Sequence, residues 1–392
     1  MSLSITQTPA LVSCAQSPII FTVKESNTNL LTSSSFQYVG ELYYWQGGPN
    51  ASGSADYTIV KYPNTSDVGI FDLNRIINST LTDLAIANTS NVQYYAVDFY
   101  WQWLSGSIFI TGSHVKSQTY KALDGYGVFQ EPIGQNITSA SIHWPLMTSG
   151  PVTQSVFINN YGYAGLYVGA AGGTLQADRV TYISNAGIPA DYAVFGWDTD
   201  PSSSGQIGQY PIGPGETLFP LNKTNLKNYS VQAYKGTTPL GTKINYIVEQ
   251  EQKYPNVRIK WKNRFGQFDY FNFYMVSRQS FTTEKKTYQP QLGSWESSTL
   301  SYQDYDSGVL NYIVDSKQAL QVNTFWVSED YNDIFKQLLV SDEIYWVYDE
   351  PNNDVRPLTI TSQNVVFKTG VVDGLIQYQF DFNYGQAYKL II

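Results

Sequence analysis

Apolar and polar residues alternate with period two through most of this chain, in short runs set apart by turn formers, and that pattern predicts strands. The clearest instance is Val257 to Tyr274, VRIKWKNRFGQFDYFNFY. Val257, Ile259 and Trp261 alternate with Arg258, Lys260 and Lys262, which predicts a strand with three apolar side chains turned inward and three cations turned to solvent. Asn263-Arg264-Phe265-Gly266 supplies a turn. Beyond it Phe268, Tyr270 and Tyr274 share one face and Phe271 and Phe273 the other, as expected of a strand lying between two packed surfaces.

The same criteria place strands at 18–24 and 36–46, separated by the polar linker ESNTNLLTSSS. In GIFDLNRIINSTLTDLA the pattern changes: Leu73, Ile76, Ile77, Leu81 and Leu84 hold helical spacing behind Asp72 as N-cap, predicting a short helix near 72–85. VQYYAVDFYWQWL then resumes as a strand with Tyr95, Val97, Phe99, Trp101 and Trp103 on one face and Asp98 and Gln102 on the other. Residues 1–125 are thus expected to form an N-terminal β-sandwich with a helical plug. Over 126–227 short strands (SVFINN, GLYVGA, RVTYIS) are broken by Gly, Ser and Pro, predicting a smaller β domain that ends in a linker or long loop at 198–216. Residues 228–392 complete a C-terminal β domain, with a helix near 329–340 where Tyr331, Ile334, Phe335, Leu338 and Leu339 hold helical spacing behind an acidic first turn. The expected fold class is mainly β: two to three β-sandwich domains, Ig-like or jelly-roll-like, with short inserted helices.

Composition supports this. In 392 residues, charged side chains make up 14% and aromatics 15%, with 32 Tyr and 19 Phe, a composition of strands and adhesive surfaces. The formal charge of −9 argues against nucleic-acid binding, which normally needs a basic excess. The start, SLSITQTPALVSCAQSPIIF, lacks the basic head and apolar core of a secretory signal, and no run is long enough for a membrane-spanning helix, so a cytosolic origin is expected. One cysteine, Cys14, excludes an internal disulfide framework, leaving packing and neighbouring subunits to supply stability.

Candidate chemistry is sparse. One Cys and two His, His114 and His143, cannot assemble the usual zinc or Cys-His sites. No P-loop, Rossmann fingerprint or G-x-S-x-G elbow occurs. No catalytic residue and no cofactor site is therefore assigned. Asp198 and Asp200 place oxygen ligands at alternate positions, as calcium loops do, but Gln209 stands where an EF-hand carries its bidentate Glu, so they are weak metal candidates. Asp304 and Asp306 could pair as acid and base, although two carboxylates this close in a turn are usually solvated. The cluster Arg258, Lys260, Lys262 and Arg264, interleaved with aromatics, reads as a strand's solvated face or a salt-bridging surface for an acidic partner subunit, ahead of a groove for single-stranded nucleic acid. Tyr43, Trp45, Trp101 and Trp103 could form a sugar-stacking platform, but their alternation assigns most of them to a core or interface. Arg258, Lys260, Lys262, Arg264, Trp101 and Trp103 are accordingly the interface candidates.

Three stretches, GIFDLNRIINSTL at 69–81, VRIKWKNRFGQFDYFNF at 257–273, and DIFKQLLVSDEIYWVYD with VVFKTG and LIQYQFDF in the C-terminal part, carry a likeness. With them the chain resembles virion structural proteins of tailed bacteriophages that infect Bacteroidetes, including the crAss-like group. The resemblance implies a non-enzymatic virion component, a capsid decoration or head fibre or a tail or tail-tip protein. It would be made in the host bacterial cytoplasm and would assemble as a homo-oligomer with other virion proteins. The alternatives are an adhesin that binds a host surface glycan and, behind it, a surface polysaccharide hydrolase using Asp304 or Asp306.

Overall fold

The N-terminal alternation produces two sheets. β1 (Leu3–Gln7), β3 (Ile20–Glu25) and β6 (Val68–Asp72) form one in the order β1-β3-β6. The second has the order β2-β10-β7-β4-β5, from β2 (Val12–Cys14), β10 (Tyr120–Leu123), β7 (Val92–Ser105), β4 (Gln37–Trp45) and β5 (Tyr57–Lys61). Two short strands, β8 (Ile108–Thr111) and β9 (Val115–Lys116), also pair with β7. Phe21, Val23 and Phe71 from the first sheet meet Tyr38, Leu42, Tyr95, Val97, Phe99 and Tyr120 from the second in one core, so this unit is a sandwich. The expected helical plug is α2 (Asn74–Leu81), whose Ile77 and Leu81 close that core. Asp72 lies at the end of β6, one position earlier than an N-cap, and its Oδ1 accepts the N–H groups of Asn74 and Ile19. The polar linker between the first two expected strands holds a single helical turn, α1 (Thr28–Leu31), capped by Asn27, whose side chain accepts from Asn29 N.

This computed structural model describes residues 3–33, 35–45, 53–81, 92–128, 145–167, 177, 179–187, 189–193, 207–250, 253–293, 298–349, 354–369 and 376–386. Leu84, His143 and the metal candidates Asp198 and Asp200 lie outside them.

The middle unit is built from β11 (Thr153–Phe157), β12 (Tyr163–Tyr167), β13 (Arg179–Ser184), β14 (Pro189–Ala193), β15 (Ile207–Pro211), β16 (Asn228–Lys235) and β17 (Thr238–Glu249). A five-stranded sheet, β11-β17-β16-β13-β14, packs on the pair β12-β15 over a core rich in tyrosine, including Tyr182, Tyr210, Tyr229 and Tyr246. Two expectations are corrected here. Residues 207–211 of the expected linker form β15, antiparallel to β12, with Ile207 and Tyr210 buried. The boundary expected at 227 moves to about 250, because β16 and β17 complete the middle sheet by pairing with β13 and β11. Their alternation is equally compatible with either neighbour; only the long-range pairing decides it.

Among the described residues the last unit forms one seven-stranded antiparallel sheet. Its strands are β18 (Val257–Lys262), β19 (Phe268–Phe273), β20 (Arg278–Tyr288), β21 (Leu310–Asn323), β22 (Ile344–Asp349), β23 (Asp354–Ile360) and β24 (Gln379–Tyr384), ordered β19-β18-β22-β23-β24-β21-β20. The expected C-terminal helix is α3 (Asn332–Val340), preceded by a 3-10 turn, Glu329–Tyr331. Its Ile334, Phe335 and Leu338 lie in the core with Trp261, Phe271, Phe273 and Phe380. Phe335 sits at the centre, 5.0 Å from the Phe271 ring and 5.2 Å from that of Phe380.

Candidate interaction surface

The apolar residues of β18 point into the core as expected, but its cations do not reach solvent. Arg258, Lys260 and Lys262 are only 2%, 4% and 8% exposed, which corrects the solvated-face expectation. The face they share is covered by the middle unit and by the chain after β10. Arg258 donates from Nη1 to Asn160 Oδ1 at 2.6 Å and Asn272 Oδ1 at 3.2 Å, and its guanidinium lies 4.6 Å from the Tyr270 ring centre. The Lys260 ammonium lies 5.1 Å from the Phe268 ring and 5.9 Å from that of Tyr345. Lys262 Nζ contacts Asp124 Oδ2 at 2.5 Å and Glu343 Oε1 at 2.9 Å. Burial alone would lower the Lys262 pKa, but Asp124 and Glu343 outweigh it and raise the value. Lys262 is thus ion-paired to carboxylates, and its partners belong to the same chain. Such internal cations cost desolvation, which aromatic faces and paired carboxylates offset.

The turn extends this contact to the N-terminal unit. Asn263 Oδ1 accepts from Phe265 N and Gln267 N, and Gly266 takes a φ of +72°. The Arg264 carbonyl accepts from Tyr126 N at 2.9 Å, and the Arg264 N–H donates to Gln337 Oε1 at 3.0 Å. Phe265 enters a shared core with Val12, Leu123, Met147 and Tyr167. One hairpin thus touches all three units, and its polar side chains serve as internal fastening, not as a free surface.

Asp269, on β19, is buried with this group and accepts a 2.6 Å hydrogen bond from Thr148 Oγ1. Burial pushes its pKa up to about 6, against the lowering effect of hydrogen bonds from Thr148, Asn263 and the Ser149 backbone. Because the folded value exceeds the unfolded one, the stabilisation from its proton is complete below about pH 4 and is lost as pH rises through about 6. Stability is expected to fall by about 1.4 kcal/mol between pH 5 and 7.5 from this group. Asp269→Asn should flatten that slope in urea titrations at the two pH values; an unchanged slope would assign it elsewhere.

The remaining sequence candidates are dispersed. Trp101 and Trp103 are half-buried against the N-terminal core, and Tyr43 and Trp45 are also only half-exposed, so they form no open platform. His114 Nδ1 lies 3.1 Å from Asp98 Oδ2 and its ring is 4.6 Å from that of Tyr100. Asp304 and Asp306 lie in an exposed turn, where Asp306 Oδ2 accepts from Gln303 N at 2.8 Å. Among the described residues no group of three or more His, Cys, Asp or Glu could hold a metal ion, and no helix is long and apolar enough to cross a membrane.

Among the described residues, two hairpins each expose several large apolar side chains. In the N-terminal unit, β8 pairs with the end of β7 and exposes Ile108, Phe109 and Ile110, the first at 72%. In the C-terminal unit, β24 pairs with β21 only over Ala319–Asn323, while β20 follows β21 out to Tyr288–Leu310. The outer part, about nine residues per strand, projects roughly 30 Å beyond the sheet. All of β20 is exposed. Sequence patterning misses the arm, since its signal lies in what fails to cover it. At the tip a groove of about 530 Å³ is bordered by Gln291, Gln303, Tyr305, Asp306 and Leu310. No protein-family model matches this chain, and no similar curated protein is found.

Proposed function

We propose that this chain is a non-enzymatic structural component of a bacteriophage particle, a capsid decoration or head fibre or a tail or tail-tip protein, that works by assembling through protein-protein interfaces. The observation that carries the assembling role is the projecting β20–β21 arm. It presents large apolar side chains to solvent, and an exposed surface of that kind marks an interaction site. The placement in a phage particle rests on the sequence resemblance. Purified particles should contain the chain in fixed stoichiometry, at a repeated or axial position in electron cryomicroscopy maps. Its absence from particles would overturn the proposal.

A second reading, binding of a host surface glycan, draws on the groove at the arm's tip, where an aromatic ring stands beside amide and carboxylate groups suited to sugar hydroxyls. Saturable binding of the isolated chain to capsular polysaccharide, lost in Tyr305→Ala, would favour it over assembly.

A further inference from the structure

Lys262 stands where two units meet. It is the last residue of β18 in the C-terminal sheet, whereas Asp124 directly follows β10 of the N-terminal sandwich. The Lys262 ammonium lies 2.5 Å from Asp124 Oδ2 and 2.9 Å from Glu343 Oε1, and the three side chains are 9%, 18% and 31% exposed. The surroundings hold them in place. The Lys262 N–H donates to the Glu343 carbonyl at 3.0 Å, so the backbone keeps amine and carboxylate in register. Tyr345 donates its hydroxyl to the second Glu343 oxygen at 3.4 Å, and Gln16 Nε2 donates to the second Asp124 oxygen, also at 3.4 Å. Asp124 is held against the β18–β19 turn by the Tyr126 N–H to Arg264 carbonyl bond.

This arrangement supplies every group that amide formation needs: an amine, a carboxyl carbon and a second carboxylate to move protons. A carbon–oxygen bond of about 1.2 Å places Asp124 Cγ within about 3.7 Å of Lys262 Nζ, close to the roughly 3–3.5 Å of a near-attack arrangement. Glu343 lies within the roughly 2.6–3.2 Å reach required of a general base. Burial penalises the charged pair and excludes the water that would reverse the reaction. Groups oriented in this way react as if at about 10⁵ M or more, which favours condensation. An arginine could not serve, since its guanidinium keeps its proton. An exposed pair such as Lys336–Asp333, 2.8 Å apart, stays charged and solvated.

We infer that Lys262 and Asp124 condense to an intramolecular amide, with Glu343 as the catalytic base and acid, so that the N-terminal sandwich and the C-terminal sheet are joined covalently. Asp124 and Glu343 favour the charged ammonium against the effect of burial, so the first step passes one Lys262 proton to Asp124 along their 2.5 Å contact. A neutral amine then faces a neutral carboxylic acid. The nitrogen lone pair attacks Asp124 Cγ and forms the C–N bond, while the carbonyl π electrons move onto oxygen. Glu343 takes a second proton from the nitrogen and delivers it to the Asp124 hydroxyl. As the oxygen electrons return, the C–O bond breaks and water leaves. The third lysine proton stays on the amide nitrogen and Glu343 is again a carboxylate, so no oxidant or co-reactant is consumed. The inference is independent of the reading of the chain as a particle component.

Intact-mass spectrometry of the purified full chain, denatured before injection, tests this. Wild type should be lighter than its sequence by one water, about 18 Da. Its tryptic digest should hold a branched peptide joining Trp261–Arg264, uncleaved after Lys262, to the segment that carries Asp124. Lys262→Arg, which keeps the charge, and Asp124→Ala should each have the full sequence mass. Glu343→Gln should slow formation at least about 100-fold, read as linked fraction against time, while its circular dichroism spectrum matches wild type. The full sequence mass in folded wild type would overturn the inference. So would a water loss that persists in Lys262→Arg on a linear peptide, since that marks a cyclic imide between Asp124 and Gly125. An unchanged rate in Glu343→Gln would overturn its catalytic role.

Discussion

Gly266→Ala is expected to destabilise the chain by at least about 4 kcal/mol, among the largest effects of any single methyl group. Two costs combine. The residue has a φ of +72°, where a side chain other than glycine's costs about 1–2 kcal/mol. In addition, a Cβ there would lie 1.9 Å from the Asp124 carbonyl oxygen. A backbone atom cannot swing aside, so the contact between the β18–β19 turn and residues 124–126 must open. Opening it strains the Lys262–Asp124 ion pair and the Tyr126 N–H to Arg264 carbonyl bond. Two other glycines separate the terms. Gly106 has a φ of +65° but nothing within 4 Å of its would-be Cβ, so Gly106→Ala should cost only the conformational part. Gly125 would place a Cβ 2.1 Å from the Arg264 carbonyl oxygen, so Gly125→Ala isolates the steric part. Urea denaturation followed by tryptophan fluorescence should rank Gly266→Ala above Gly125→Ala, and Gly125→Ala above Gly106→Ala. If Gly266→Ala matched Gly106→Ala, the close backbone approach would not be a stabilising joint.

Arg258→Ala is expected to cost about 3–5 kcal/mol, as does removal of one member of a buried polar set. It leaves Asn160, itself 3% exposed, without its guanidinium donor and removes the cation from the face of Tyr270. It also empties space between β18 and the middle unit. Arg258→Lys should recover only part of the loss, because a compact ammonium cannot replace the flat guanidinium that lies against the Tyr270 ring. Lys286→Ala on the exposed arm provides the contrast and should stay within about 0.5 kcal/mol of wild type. Equal effects at the two positions would return Arg258 to the solvated face that alternation alone suggests.

How far the sequence could be read is clearest on β18. Alternation of Val257, Ile259 and Trp261 with Arg258, Lys260 and Lys262 specifies a strand and assigns the apolar three to a core, and both hold. It does not say what lies on the other face. A cation is usually exposed, but here residues roughly 100 to 140 positions away, Asn160 and Asp124 among them, cover that face and supply partners. Their arrival depends on the packing of three units, which no local pattern encodes. The candidate surface follows the same rule. Trp101 and Trp103 stand out by composition yet are drawn against a core, whereas Tyr288, Leu310 and Tyr312 stand out only because β24 stops pairing at Ala319.

The sequence by itself determined the mainly β class, the turn at Asn263–Gly266 and a short helix within each of 72–85 and 329–340, because strand alternation, helical spacing and turn chemistry act over a few residues. Only the tertiary structure decided that β16 and β17 belong to the middle sheet, that the last unit is a sheet with one helix, and that the cations of β18 are internal. It also decided that the arm projects free of the sheet. Each of these is a question of which distant surface covers a given face, and coverage arises from long-range pairing and packing, not from the period of the chain.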